Sequence, residues 1–533
     1  MIFEAHPEDR LACGEASEFA PRGGSTYTLP MSSLRIAALV LVGAVLVGSD
    51  RRPTDGNPPE QFTATVSLPN PPEVHPVNGV TSLTLTAAAQ PDGRAGMEYD
   101  GASVPPTIRV WPGDRMKITY VNELPAHSTE RCALGPCMDM TNLHFHGLEV
   151  SPQAPQDDVL TMIASPGQTL RYDVRVPQNH MPGLFWFHTH PHGESAEQDL
   201  DGMSGAIVIE GIDRYVPAVR GLRERVLVVR TMDARGDDGR QVQALRARMN
   251  VPAEDCGTSG EQVKGFATVN GALRPTIAIA PGERQFWRIV NAQPESYLDI
   301  ALDGEQLEVV ALDGEPLAYR NPARPTMKVP HLLLPPAGRV EAIVTGPPAG
   351  AHATLRTACV DTGPSGDINQ GQVLADVVPA TASDAPMPTV PVSSQPPVYK
   401  VATGIAAAER AAPQFTVNFG EDEHGFYING QKFSMDAKPM TTVQIGSYQH
   451  WRIVNKAHEV HPFHIHQLHF LTFAQDGRAI ADPVWLDTVN VPAQSTVEAV
   501  MDFTDPVIRG MAVFHCHILN HEDKGMMAKV LFR

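Results

Sequence analysis

The stretch YDGASVPPTIRVWPGDRMKITYVN, Tyr99 to Asn122, reads as a strand, a Pro-Gly-Asp turn and a second strand, because its β-branched runs TIRV and KITYV flank turn residues. It returns twice in altered form, as VNGALRPTIAIAPGERQFWRIVN (Val269 to Asn291) and as INGQKFSMDAKPMTTVQIGSYQHWRIVN (Ile428 to Asn455). In each copy a glycine (Gly113, Gly282, Gly446) stands nine residues before an asparagine (Asn122, Asn291, Asn455). The copies are spaced by roughly 165 residues, which is a domain repeat and far too wide for a solenoid period. A chain of 533 residues with 48 prolines and 43 glycines, and with few long 3.6-period apolar stretches, is therefore expected to be all-β and to hold three related sandwich domains. The expected boundaries are a leader over 1–59 and domains over 60–215, 216–385 and 386–533. The linker-like stretch VVPATASDAPMPTVPVSSQPP, Val377 to Pro397, marks the last of them.

Outward from the repeats, the leader carries a targeting signal. From Met31, MSSLRIAALVLVGAVLVGSD places Arg35 before an apolar run, Ile36 to Gly48, that is too short to span a bilayer and fits the core of a signal peptide. The expectation is a start at Met31, export to the periplasm or beyond the cell, and no stable membrane anchor; an uncleaved anchor helix is the alternative. Arg51 and Arg52 follow the apolar run, so they do not form a twin-arginine signal. Export fits the cysteines. With Cys13 removed, Cys132, Cys137, Cys256 and Cys359 suffice for two disulfides, Cys132 with Cys137 and Cys256 with Cys359 being one pairing that sequence cannot fix, and Cys516 is left over. The formal charge of −19 and the absence of a Lys/Arg block exclude nucleic acid and anionic membranes as partners and leave small or cationic substrates open.

Four segments carry histidines two apart: HFHG (His144, His146), FHTHPHG (His188, His190), HPFHIH (His461, His464, His466) and HCH (His515, His517). Residues two apart on a strand share a face, so each pair offers two imidazoles to one place. One such pair is usually a surface or packing feature. Four, two in the first repeat unit and two in the third, point to a metal cluster between the end domains, because imidazole is costly to bury unpartnered. Cys516 projects to the side of its strand opposite His515 and His517, so one strand touches two metal sites. With His461, His521 and Met526, Cys516 supplies two imidazoles, a thiolate and a thioether, the ligand set of a blue-copper site. Structural zinc favours several thiolates instead.

These motifs resemble those of three-domain multicopper oxidases, the family of laccases, ascorbate oxidases and bacterial copper oxidases, over roughly residues 80–533. The resemblance implies three cupredoxin-like Greek-key β-sandwich domains and four coppers per chain. His144 and His464 would hold the type 2 copper, and His146, His188, His190, His466, His515 and His517 the type 3 pair. His461, Cys516 and His521 would hold the type 1 copper with Met526 axial. It further implies one-electron oxidation of a small-molecule reductant or metal ion at the type 1 copper, electron passage from Cys516 through His515 and His517, and four-electron reduction of O2 to water. Asp157, Asp158 and Glu522 match the acids that supply protons, with ordinary surface carboxylates as the alternative. His192 departs from the laccase pattern. His180, His450, His458 and His469 are expected to be structural, with His469 in the core or against a ligand.

A laccase-like oxidation of phenols or aromatic amines leads the expectations. Oxidation of cuprous or ferrous ions is the alternative: no methionine-rich insert stands over the type 1 ligands, the nearest cluster being MDMTN at Met138 and Met140, while Glu459 lies two residues before His461. A copper-free scaffold of the same fold is disfavoured because it would lack the ligands. A two-domain nitrite-reductase arrangement is disfavoured because there the type 1 ligands fall in the first domain and three repeats are one too many.

Overall fold

The structure is a computed structural model and describes residues 66–90, 94–102, 105–126, 139–233, 239–250, 265–367, 369–380, 387–399 and 403–533. The expected signal peptide, Met138, Cys132, Cys137 and Cys256 lie outside the described residues. Cys359 is disulfide-bonded, and Cys516 is a free, buried thiol. Among the described residues no helix is long and apolar enough to cross a membrane.

Strands pair into six sheets. Between Glu73 and Ile209 a five-stranded and a four-stranded sheet form one sandwich, and the strands from Arg223 to Pro379 and from Phe415 to Phe532 each form a seven-stranded and a five-stranded sheet. The all-β expectation holds, in three sandwiches. The repeated glycine and asparagine have physical reasons. Gly113, Gly282 and Gly446 adopt φ of +95°, +73° and +96°, a left-handed turn that a Cβ would strain. Asn122, Asn291 and Asn455 sit buried at or near the ends of the strands Arg115–Glu123, Arg284–Asn291 and Ser447–Asn455. Each donates its side-chain amide to carbonyls of crossing loops, Asn455 to Glu459, Val491 and Pro492 for example, and accepts the N–H two residues on. A buried amide with every group bonded pins the loops to the strand end.

Alternation follows from packing. Val80–Ala89 alternates buried and more exposed residues as a strand with one wet face does. Gly183–His188 is buried throughout. Phe185 and Phe187 enter the first sandwich's core, while Leu184 and Trp186 pack with Val226, Val228, Val290 and Ala337 of the second. That strand therefore has a core on each face, and it carries His188 into the interior, with His190 just past its end.

Candidate metal centre

Four short strands set out the histidines in two adjacent pairs. His144–His146 runs antiparallel to Gly183–His188, placing His144 opposite His188, and His461–Ile465 runs antiparallel to Gly510–Cys516, placing His464 opposite His515. The two pairs face each other across the first and third sandwiches. His144 stacks on His466 at 3.7 Å between ring centroids, and His146 on His464 at 3.9 Å. Nitrogens of His146, His188 and His517 converge within 4.8 Å of one another, as do those of His190, His466 and His515 and those of His144, His146 and His464. His190 Nε2 and His466 Nε2 stand 3.4 and 3.2 Å from His515 Nε2.

Four of these imidazoles, His144, His146, His188 and His464, have one nitrogen engaged from behind and the other unpaired. His144 Nδ1 meets the Asp157 carboxylate at 3.0 Å, His146 Nε2 meets Asp487 Oδ1 at 3.1 Å, and His188 Nδ1 and His464 Nδ1 donate to the carbonyls of Thr189 and Asp487. The remaining nitrogens, His144 Nε2, His146 Nδ1, His188 Nε2 and His464 Nε2, are buried with no hydrogen-bond partner among the described residues. Buried polar atoms are rarely left so, and lone pairs aimed at a common point are the condition for binding a cation. Burial, with the neighbouring imidazoles, holds His146, His190, His464, His466 and His517 far below the usual imidazole range, so they are neutral and could bind a cation.

The second cluster lies on the other side of the same strand. Cys516 Sγ is 3.4 Å from His461 Nδ1 and 3.8 Å from His521 Nδ1, and the two nitrogens are 3.3 Å apart. Ligand bonds of about 2.0–2.3 Å in a trigonal plane put donor atoms ~3.5 Å apart, so a metal fits the triangle. Burial pushes the Cys516 thiol up, and a bound cation is what would make it a thiolate. Met526 is fully buried, and its backbone ties it to the same ligands: its carbonyl accepts from Cys516 N–H and its N–H donates to the His521 carbonyl.

The three acids have different places. Asp157 is buried and accepts from Phe145 N–H and Gln467 Nε2 besides contacting His144. Glu522 is buried between the clusters, with Oε1 3.5 Å from His190 Nδ1, Oε2 3.3 Å from His515 Nδ1, and the Ser195 hydroxyl donating to Oε1 at 3.3 Å. Its carboxyl is held well above the carboxylate range, by burial first and Asp523 second. Asp158 is half-buried and closes a local turn, accepting from the N–H groups of Leu160 and Thr161 and from the Thr161 hydroxyl. Neighbouring residues point opposite ways, so of Asp157 and Asp158 only Asp157 meets a histidine.

His192 is half-buried with its ring edge-on to Phe433 at 4.5 Å. His180 and His450 are bonded within the scaffold. His469 is in the core, donating to the Asp313 carbonyl and meeting Glu149; although burial opposes it, Glu149, Glu315 and Asp487 hold its imidazole up to about 9. Four residues packed around the clusters gave no signal in the sequence: Asp487, Thr488, Arg339 and Glu421. At the outer edge of the thiol cluster Glu459 Oε1 lies 3.5 Å from His521 Nε2 and Glu421 Oε2 lies 3.7 Å from His461 Nε2, and Phe426 stacks on His521 at 4.0 Å.

Comparison with known proteins gives three matches to family models described as multicopper oxidase, over residues 83–213, 185–352 and 399–533. The chain is 24% identical over 448 residues to a "Multicopper oxidase mco" of Staphylococcus haemolyticus, covering 81% of this chain and 83% of that one. It is 26% identical over 461 residues to a "Laccase" of Haloferax volcanii, covering 81% and 73%. Among solved structures it is similar to the "Multicopper oxidase from Campylobacter jejuni: a metallo-oxidase", with a TM-score of 0.63 and 21% identity over 88% of this chain and 97% of that chain.

Proposed function

The chain belongs to the multicopper oxidase family and is a copper-dependent oxidoreductase with O2 as acceptor; from that premise we propose that its reductant is a low-valent metal ion, oxidised at the edge of His461 and His521. The observation that supports this is the carboxylate pair there. Glu459 and Glu421 each approach the outer nitrogen of a different histidine of the thiol cluster. Burial, then Glu421, pushes Glu459 up to about 10, so its carboxyl holds a proton that an arriving cation would displace. The chain's net charge of −19 also favours a cation.

The residues fit four coppers. His461, Cys516 and His521, with Met526 as a weak further ligand, would hold the type 1 ion; His144 and His464 the type 2 ion; His146, His188 and His517 one type 3 ion, and His190, His466 and His515 the other. When bound, copper supplies one-electron oxidation of the reductant and four-electron reduction of O2 to two waters. The chain's own residues do the rest. Cys516 and its neighbours His515 and His517 give a covalent path of a few bonds between the two clusters. Asp157 holds His144 by Nδ1, which leaves Nε2 as the ligand atom. Glu522, protonated by burial and fixed by Ser195, holds a proton beside His515 for oxygen reduction.

A second reading is favoured by Phe426, whose ring lies flat on His521 and offers an aromatic surface to phenols or aromatic amines. Oxygen uptake by the copper-loaded protein with Fe(II), Cu(I) and a dimethoxyphenol separates the two. A larger kcat/KM for the phenol would overturn the metal-ion reading. We also infer export, from the apolar run Ile36 to Gly48; a cytosolic protein with an intact leader would contradict it.

A further inference from the structure

His146 and His464 come from different sandwiches, yet the same dipeptide of the third holds both from behind. Asp487 Oδ1 meets His146 Nε2, the Asp487 carbonyl accepts from His464 Nδ1 at 2.8 Å, and the Thr488 hydroxyl stands 3.4 and 3.3 Å from those two nitrogens while donating to Asp487 Oδ1 at 2.9 Å. That dipeptide is in turn gripped by the second sandwich. Arg339 Nη1 donates to Asp487 Oδ1 at 2.8 Å and Nη2 to Oδ2, a fork on a carboxylate. The other N–H groups of Arg339 reach the carbonyls of Leu184, Ala337 and Asp313, so the fully buried guanidinium is satisfied on all sides. Asp313 Oδ2 accepts the N–H groups of Asp487 and Thr488, both at 3.3 Å.

The fit is close. Gly147, directly after His146, has φ of +82°, and a Cβ there would come within 2.5 Å of both Arg339 Nη2 and Asp487 Oδ2. The backbone beside a ligand is thus pressed onto the ion pair itself.

We propose that Arg339, from the one sandwich that contributes none of the paired histidines, is a positioning residue of the trinuclear site: by clamping Asp487 it fixes the tautomer and orientation of His146 and His464. A fixed outer hydrogen bond keeps Nδ1 of His146 and Nε2 of His464 as the ligand atoms. The middle sandwich thereby sets the geometry of a site between the other two. This rests on the copper reading above.

The test uses full-length, copper-loaded protein and three readouts: copper per chain, the electron paramagnetic resonance spectrum of the type 2 ion, and the blue absorption of the type 1 site. Arg339→Lys keeps the charge but cannot make the fork. It is expected to keep the blue absorption per chain, to shift the type 2 hyperfine splitting, and to lose roughly tenfold or more in affinity for the copper at His144 and His464. Wild-type splitting and copper retention in Arg339→Lys would overturn the proposal. So would equal loss at all sites together with a lowered unfolding temperature of the metal-free protein, which would mark Arg339 as a packing residue. If Arg339→Lys does not fold, Thr488→Val decides: it removes only the hydroxyl from the same clamp, and an unchanged type 2 spectrum overturns the proposal. A wild-type protein that is colourless and binds no copper overturns the copper reading, and this one with it.

Discussion

Glu522 Oε2 lies 3.3 Å from Nδ1 of His515, the residue before Cys516, and both side chains are sealed from water. An acid in that position is placed to serve chemistry at the cluster. Glu522→Gln keeps its shape and the bond from Ser195 but holds no transferable proton. It is expected to slow reoxidation of the reduced enzyme by O2 by about 10²-fold, at the low end for general acid catalysis, and to leave anaerobic reduction by substrate unchanged. Stopped-flow of the two half-reactions checks this, and slowed reduction with normal reoxidation would exclude the role.

Cys516→Ser removes the thiolate from a triangle whose other corners are His461 and His521. The blue colour should vanish and copper should fall by about one per chain, from about four. Metal analysis beside the absorption spectrum checks both, and a variant that stayed blue would place the thiolate elsewhere.

Glu459→Gln and Glu421→Gln test the substrate. Each removes a carboxylate from the outer edge of a histidine in the thiol cluster. Together they should lower kcat/KM for Fe(II) or Cu(I) by roughly tenfold or more, a ~1.4 kcal/mol loss, and change a neutral phenol far less. Equal losses for ion and phenol would show that the pair tunes the site and does not bind the substrate.

Asp157→Asn should cost roughly 10–100-fold in activity or copper affinity. The amide can still accept from Phe145 N–H, but it no longer presents two carboxylate oxygens to His144 Nδ1. Asp158→Asn, in its turn, should change activity little. Parallel kinetics and copper analysis of the two variants check the distinction.

Glu194 predicts a pH effect on stability. It is buried, neither carboxylate oxygen has a partner among the described residues, and burial with Asp523 raises it to about 8. In the folded chain it therefore binds a proton that the unfolded chain releases near its ordinary value of 4.5. The folded state holds more protons in that window, so stability falls as pH rises from about 4.5 to about 8 and then levels off. Glu194→Gln should flatten this slope and add ~1–3 kcal/mol at pH 8, read from unfolding at pH 5 and pH 8.

The histidine pairs, the strand end that carries His515 and Cys516 with His517 next, and the repeated glycine and asparagine were legible in the sequence because each depends on covalent spacing. Residues two apart on a strand share a face wherever the strand goes, and a left-handed turn asks for glycine locally. The lone thiol between two imidazoles also carried its chemistry with it, since ligand type does not depend on packing.

What surrounds the ligands was decided by tertiary structure. Nothing in the sequence separates Asp157 from Asp158; one is buried on His144 and the other closes a turn. His146 and Asp487 meet across 341 positions, and Arg339 reaches Asp487 across 148. Glu421 and Glu459 converge on one edge from separate segments. Such contacts have no periodicity to read. They arise where three sandwiches pack and bury charges that must then find partners, and only the packed chain determines which partner each one finds.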